Sequence, residues 1–153
     1  ESDFNQWMHE KNEDYLNLIQ DMTEDEILVD VKKVLDHLKE RGQGVALGSA
    51  SKNATLILDR VELTSYFEII IDGNKVSKAK PDPEVFIKAA SGLNVSPEYS
   101  VVFEDAIAGV EAANRAGMYS IGVGDTETLQ HAKHIVKDFT EVTLPFLDQL
   151  IDR

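Results

Sequence analysis

Three polar segments of this chain combine residue types that can bind a phosphate and a divalent cation. Ser49–Asn53 follows the apolar run Val45–Leu47 after one glycine, Gly48. Its small hydroxyls, free backbone N–H groups and lysine together suit an anion. Lys80 lies in a connection stiffened by two prolines. Glu104 and Asp105 follow Val101–Phe103, and adjacent carboxylates can hold a hard cation such as Mg²⁺, which takes oxygen ligands. The combined chemistry is that of phosphate binding with a divalent cation.

Each of these segments also has an ordinary structural interpretation. Ser49 or Ser51 could simply cap the next helix, because serine is among the commonest N-cap residues. Lys80 could be a solvated surface charge, as most loop lysines are. Glu104 and Asp105 could cap the helix that follows them, where acidic side chains suit the helix dipole. The sequence leaves these alternatives open, and only the joint presence of the groups favours a phosphate site.

Two other candidate sites are rejected on their spacing. Gly122-Val-Gly124 is only a fragment of a dinucleotide-binding fingerprint, and it lies at the fourth predicted strand rather than the first. The histidines have no ligand-like spacing with acidic residues on one helix face, which favours ordinary surface or core positions for His9, His37, His131 and His134.

The elements that must position the polar segments are short apolar runs alternating with helices. A first amphipathic helix is predicted over residues 4–20, and Lys11 interrupts its apolar stripe. Further helices are predicted through Val31–Leu38, Leu56–Val61, Asp82–Gly92, Ala106–Ala116 and Thr143–Ile151. Strands are predicted at Val45–Leu47, Ile69–Ile71, Val101–Phe103, Tyr119–Val123 and His134–Val136.

Continuous β-branched runs between helices are typical of parallel strands buried on both faces. The sequence therefore predicts an α/β fold with a doubly wound parallel sheet, preceded by one helix of a different structural unit. The boundary between the two is expected within residues 21–28. In an open parallel sheet, ligands bind beyond the carboxyl ends of the strands, which is where the polar segments fall.

Composition narrows the classes of function. The chain has 153 residues, of which 42% are hydrophobic, so that it can bury the core of one domain. Its net charge of −13 opposes binding to nucleic acid or to an anionic membrane. The absence of cysteine excludes disulfides and thiolate chemistry and fits a cytoplasmic location. A start at Glu1, without a signal-peptide pattern, leads us to expect that an N-terminal segment is missing.

Three motifs in this order make the chain resemble the haloacid dehalogenase superfamily. Ser49, Lys80–Phe86 and Phe103–Val110 are similar to the second, third and fourth motifs of that superfamily. More narrowly, Lys11–Tyr15 and Gly48–Asn53 resemble the β-phosphoglucomutase family. The similarity covers nearly the whole chain, and the resemblance implies a Rossmann-like core with a helical cap.

The resemblance implies a role for the residues that match the motifs. Ser49, with the backbone of Ala50, would bind the transferring phosphoryl group, and Lys80 would neutralise it. Glu104 and Asp105 would form a Mg²⁺ site, in which Asp105 would be the direct ligand.

A second group of residues would bind the rest of the substrate. Ser51, Lys52 and Asn53 resemble the site for the phosphate that is not transferred. Lys11 would reach the cleft from the cap; its alternative is a lysine whose apolar stem covers the helix surface.

The implied activity is interconversion of β-glucose 1-phosphate and glucose 6-phosphate through an aspartyl-phosphate. The family's Asp-x-Asp first motif has no match here. We therefore expect residues 1–24 to be a remnant of a helical cap and residues 25–153 to be a core without its first strand. Alone the chain would be inactive, with the missing N-terminal segment as its partner. The alternatives are a sugar-phosphate or phosphoglycolate-type phosphatase, a non-catalytic phosphate-binding domain and, more weakly, a receiver-like signalling domain.

Overall fold

The computed structural model describes the backbone of residues 2–153 and the side chains of residues 4–153. The α-helices in that range are α1 (Ser2–Gln20), α2 (Val31–Glu40), α3 (Ala54–Arg60), α4 (Glu84–Gly92), α5 (Ile107–Arg115) and α6 (Leu144–Ile151). The strands are β1 (Ala46–Gly48), β2 (Ile69–Ile71), β3 (Val101–Glu104), β4 (Tyr119–Val123) and β5 (His134–Val136). Every predicted strand and helix is present, and β1 is displaced by one residue from its predicted position.

The strands form two parallel sheets. β1 pairs with β2, with Leu47 opposite Ile70. β4 lies between β3 and β5, and its Ile121 is opposite both Phe103 and His134. Within the described range β1 and β3 do not pair with each other, so each has an unpaired backbone edge. The α/β fold with parallel strands is confirmed, and the sheet is interrupted between β1 and β3.

Helices pack on both faces of the strands because alternate side chains point to opposite faces. Val102 of β3 packs against a cluster that includes Phe86 of α4 and Met118. Its neighbours Val101 and Phe103 pack against a second cluster, to which α2 and α6 contribute. Burial of each such large side chain contributes about 1.5–3 kcal/mol. The packing fixes the strand ends, and with them the polar segments.

Helix α1 is only partly packed. Ile19 is 2% exposed, and the helix contacts α3. The rest of the predicted apolar stripe faces solvent, including Trp7 and Leu18, which are 53% and 69% exposed. Across the described residues, none of the helices is both long enough and apolar enough to cross a membrane.

The start of α4 differs slightly from the prediction. Asp82 Oδ1 accepts a hydrogen bond from the N–H of Glu84 at 3.0 Å, so Asp82 does satisfy a free donor of the first turn. Pro83 occupies the N-cap position, whereas the sequence predicts the helix from Asp82 onward. The helix therefore begins at Glu84, whose side chain returns to the connection that carries Lys80.

Candidate functional site

Lys80 joins the carboxyl ends of the two sheets. Its Nζ donates to the carbonyl oxygen of Gly48, at the end of β1, over 3.2 Å. It also donates to Oε2 of Glu104, at the end of β3, over 2.7 Å. The Lys80 and Glu104 side chains are 15% and 10% exposed, so this ion pair is largely shielded from water. An ammonium has three donors; two of them make these bonds, and Nζ also lies 4.8 Å from the ring centroid of Phe86.

Hydrogen bonds between neighbouring residues shape the loop after β1. The N–H of Ser49 donates to the carbonyl of Ile71 at 2.9 Å, which ties the loop to β2. The hydroxyl of Ser49 accepts from the N–H of Ser51, and that of Ser51 accepts from the N–H of Asn53, both at 3.1 Å. Neither serine caps α3, whose N-cap is Asn53. Both hydroxyls keep their own proton to donate to a ligand.

The connection after β2 supports this loop from one side. The N–H of Gly73 donates to the carbonyl of Ser51 at 3.1 Å, and the side-chain amide of Asn74 donates to that of Lys52 at 3.0 Å. A Cβ on Gly73 would lie 2.4 Å from the carbonyl oxygen of Ala50, so only glycine fits here. The two connections are thus held together as one rim.

Two cavities open at this rim. One of about 190 Å³ is lined by Ser49, Ala50, Gly73, Val76, Ser77, Lys78, Ala79, Lys80 and Val85. The other, of about 550 Å³, is lined by Leu28, Val29, Phe103, Glu104, Asp105, Val123, Lys137, Asp138, Phe139 and Thr140. Ser49 and Lys80 therefore share one cavity, and the predicted metal ligands share the other. The Lys80–Glu104 ion pair connects their linings.

Glu104 is held against the start of α5. Its Oε1 accepts hydrogen bonds from the N–H groups of Asp105 and Ala106, both at 3.1 Å. A Cβ on Gly109 would lie 2.0 Å from Glu104 Cδ, so the missing side chain of Gly109 makes room for this carboxylate. The Asp105 side chain is exposed. Both oxygens of Glu104 are therefore engaged within the protein, whereas Asp105 faces solvent.

The two carboxylates fit part of a magnesium site. Mg²⁺ commonly binds through one or two carboxylates, several waters and substrate phosphates. Glu104 and Asp105 supply hard oxygen donors next to each other. Among residues 4–153 no set of three or more acidic or histidine side chains converges, and the assignment of Glu104 and Asp105 to a metal site stays a prediction.

The remaining predicted binding residues lie outside the cavity linings. Lys52 is exposed and Asn53 is half-buried at the start of α3. Lys11 Nζ lies 4.9 Å from the ring centroid of Trp7 on its own helix. Lys11, Ser51, Lys52 and Asn53 line neither cavity, and their roles stay predictions.

Glu84 and Gly109 shape the site without having been singled out from the sequence. Both lie within the motifs that carry the resemblance. Glu84 binds the connection that carries Lys80, and Gly109 leaves the space that Glu104 fills. The residue types alone carry no signal for either role, because each depends on how the chain folds back on itself over five to seven residues.

Residues 1–123 match the family described as haloacid dehalogenase-like hydrolase. The chain belongs to this family. The resemblance drawn from Ser49, Lys80 and the Glu104-Asp105 pair is thereby confirmed at the level of the family.

The names of two relatives are those of a phosphoglucomutase and a phosphatase. The chain is 37% identical over 142 residues to the β-phosphoglucomutase of Bacillus subtilis (strain 168), covering 93% of this chain and 63% of the relative. It is 38% identical over 107 residues to the validoxylamine A 7'-phosphate phosphatase of Streptomyces hygroscopicus subsp. limoneus, covering 68% and 50%.

A solved structure is similar over most of the chain. The crystal structure of β-phosphoglucomutase from Clostridium difficile superposes with a TM-score of 0.89 and 35% identity, covering 94% of this chain and 65% of that one. The chain therefore spans less than two thirds of the length of these two phosphoglucomutases.

Proposed function

We propose that this chain is part of a phosphoryl-transfer enzyme of the β-phosphoglucomutase type, which interconverts β-glucose 1-phosphate and glucose 6-phosphate. The observation that carries the proposal is the position of Lys80, whose ammonium bonds both to the end of β1 and to Glu104. The identity to named β-phosphoglucomutases supports the choice of reaction. The cytoplasmic location stays a prediction.

Ser49 and Lys80 are the groups proposed to bind the phosphoryl group during transfer. They line the same cavity, where the Ser49 hydroxyl and the third N–H of Lys80 can donate to phosphoryl oxygens. Charge-assisted bonds of this kind stabilise the negative charge on the transferring group. The chain carries a net charge of −13, so a cation at the site offsets part of the repulsion that a phosphate meets.

Glu104 and Asp105 are proposed to hold Mg²⁺, which would neutralise phosphoryl oxygens when bound. Asp105 is the better direct ligand because its carboxylate is exposed. Glu104 is already bonded to Lys80 and to two backbone N–H groups. Its proposed contribution is therefore to fix the relative position of the cation site and the ammonium.

We propose that the acceptor aspartate comes from outside these 153 residues, on a strand between β1 and β3. The unpaired edges of β1 and β3 support this arrangement, because a parallel strand there would satisfy both. Lys80 would then lie at the end of that strand. We also propose that residues 1–24 belong to a cap and residues 25–153 to the core. The exposed apolar stripe of α1 supports this division.

The alternative function is a sugar-phosphate phosphatase, which the named phosphatase relative supports. A mutase must bind the second phosphate of a sugar bisphosphate, the one that is not being transferred. We propose that it is bound by Ser51, Lys52 and Asn53. A phosphatase acting on a monophosphate has less need of it. Lys52 therefore distinguishes the two functions.

The deciding experiment uses the protein completed with the acceptor strand, β-glucose 1-phosphate and a trace of sugar bisphosphate. A mutase forms glucose 6-phosphate, whereas a phosphatase releases inorganic phosphate. Lys52→Ala should reduce transfer between sugar phosphates far more than hydrolysis of acetyl phosphate, because remote binding energy orients the reacting centre. Lys33→Ala, an exposed lysine on α2, is the control. Equal losses on both substrates would contradict the mutase proposal.

A further inference from the structure

The connection between β2 and α4 carries Lys80 but has no helix or strand of its own. It runs over residues 72–83, and residues 76–80 line the cavity of about 190 Å³. A connection of this length needs anchors if one of its side chains is to keep a fixed position. The Lys80 ammonium nevertheless meets partners on both sheets, so an anchor must lie nearby.

The Glu84 carboxylate, in the first turn of α4, supplies that anchor. Ser77 donates to it through its N–H (3.0 Å to Oε1) and its hydroxyl (2.8 Å to Oε2). Lys78 donates through its N–H, 2.8 Å from Oε2. Lys88 Nζ lies 2.7 Å from Glu84 Oε1 and donates to the carbonyl of Lys75, also at 2.7 Å. We call Ser77, Lys78, Glu84 and Lys88 the Glu84 clasp.

The clasp is built around a carboxylate that stays charged. The Lys88 ammonium, followed by the N–H and hydroxyl of Ser77, lowers the pKa of Glu84 from 4.5 to about 2. The Glu84 side chain is 17% exposed, and its place at the start of a helix also favours the anion. Hydrogen bonds to a charged acceptor are stronger than those between neutral groups, so the clasp is a firm local constraint.

We propose that Glu84 is a positioning residue for Lys80. The clasp fixes the backbone of Ser77 and Lys78, and it thereby sets the position of the Lys80 ammonium relative to Glu104. It also sets the position of this part of the cavity lining. Only Ala79 separates Lys78 from Lys80, so a shift of the Lys78 backbone moves the point from which the Lys80 side chain starts. The consequence for phosphate binding rests on the proposed function. The position of Lys80 can be measured without any ligand.

The experiment compares Glu84→Gln with Glu111→Gln in the full chain. Glu111 pairs with Arg115 one turn along α5, as Glu84 pairs with Lys88, but it is not bonded to a loop. The first readout is the rate at which Lys80 is acetylated by a small amine-directed reagent, followed by mass spectrometry. In Glu84→Gln we expect Lys80 to react at least about threefold faster, because local loosening exposes its ammonium. Glu111→Gln should react as the unsubstituted chain does.

The second readout is the dissociation constant for inorganic phosphate, which we expect Glu84→Gln to raise by about threefold through the displaced ammonium. Ser77→Ala removes only the hydroxyl bond and should change both readouts in the same direction by a smaller factor. If Glu84→Gln does not fold, Ser77→Ala tests the positioning role in its place. Unchanged Lys80 reactivity in the folded variant would overturn the positioning role. Faster acetylation in a chain that never binds phosphate would support the clasp and contradict the proposed function instead.

Discussion

The two sheets present different chemistry at their carboxyl ends. The β1–β2 side offers hydroxyls, backbone N–H groups and a small cavity lined by Ser49 and Ala50. The β3–β5 side offers carboxylates, with Glu104 and Asp105 lining a larger cavity. One side therefore suits an anion and the other a cation. Lys80 is hydrogen-bonded to both sides. The groups that suit an anion and those that suit a cation are therefore separate, and one ammonium links them.

The two sides also differ in how their key groups are fixed. On the β3–β5 side, Glu104 is fixed by the start of the helix that follows it and by the space at Gly109. On the β1–β2 side, Lys80 comes from a connection without regular structure and depends on the Glu84 clasp. The carboxylate is thus part of a rigid element, whereas the ammonium is positioned by side-chain contacts. Substitutions on the two sides should have correspondingly different effects.

The largest effect is expected for Lys80→Ala. Loss of the ammonium leaves the Glu104 carboxylate, 10% exposed, without its partner, which should lower the free energy of unfolding by about 3 kcal/mol. The dissociation constant for inorganic phosphate should rise at least about tenfold, the effect of losing one charge-assisted bond. Denaturant unfolding measures the change in the free energy of unfolding, and phosphate titration measures the change in the dissociation constant. Lys33→Ala, an exposed lysine on α2 that lines neither cavity, is the control, and equal effects of the two substitutions would refute the coupling role of Lys80.

Gly109→Ala should come next and tests the rigid side. Helix propensity alone predicts that alanine stabilises α5 by about 1 kcal/mol. The new Cβ would instead lie 2.0 Å from Glu104 Cδ, so we expect a net loss of about 1–3 kcal/mol from overpacking. At Gly44 the nearest atom is the flexible end of Leu93, 3.3 Å away, and Gly44→Ala should cost less. A stabilised Gly109→Ala protein would show that the space at Gly109 does not hold Glu104.

Much of this comparison could be anticipated from the sequence. Ser49, Lys80 and Glu104 could be placed at strand ends because apolar runs and helix signals are local and periodic. The division of the site into two cavities could not, because it depends on how β1 and β3 are arranged. The roles of Glu84 and Gly109 depend on how the chain folds back on itself over five to seven residues, which neither helix nor strand periodicity predicts.

Ser120→Ala should affect stability alone. Ser120 is fully buried in β4; its hydroxyl donates to Asn114 Oδ1 at 2.7 Å and accepts from the N–H of Lys133 at 3.2 Å. The N–H of Lys133 keeps the carbonyl of Ser120 as an acceptor at 3.0 Å, so the main loss is the bond to Asn114, which should cost about 1 kcal/mol. Phosphate affinity should stay unchanged, since the residue lies away from both cavities. If Ser120→Ala also weakened phosphate binding, the packing of the β3–β5 sheet would influence the phosphate site on the β1–β2 side.

The smallest effect concerns acid stability. Because the pKa of Glu84 in the folded chain is about 2, below its ordinary value of 4.5, its contribution to stability is present above pH 4.5 and is lost as the pH falls towards 2. Glu84→Gln should therefore flatten the pH dependence of the unfolding free energy in that interval. On the β3–β5 side, the hydroxyl and N–H of Thr128 lower the pKa of Asp125. Asp125→Asn should therefore also flatten the pH dependence of the unfolding free energy. An unchanged slope in Glu84→Gln would argue against a charged clasp.

The central claim is that Lys80 makes the end of β1 a phosphate site. Its most direct test is a titration of the ¹⁵N-labelled chain with inorganic phosphate, followed through the backbone amide signals. The predicted result is one saturable set of shifts at Ser49, Ala50 and Lys80, weakened by added salt because the attraction is electrostatic. Shifts confined to the β3–β5 side, or none that saturate, would contradict the account.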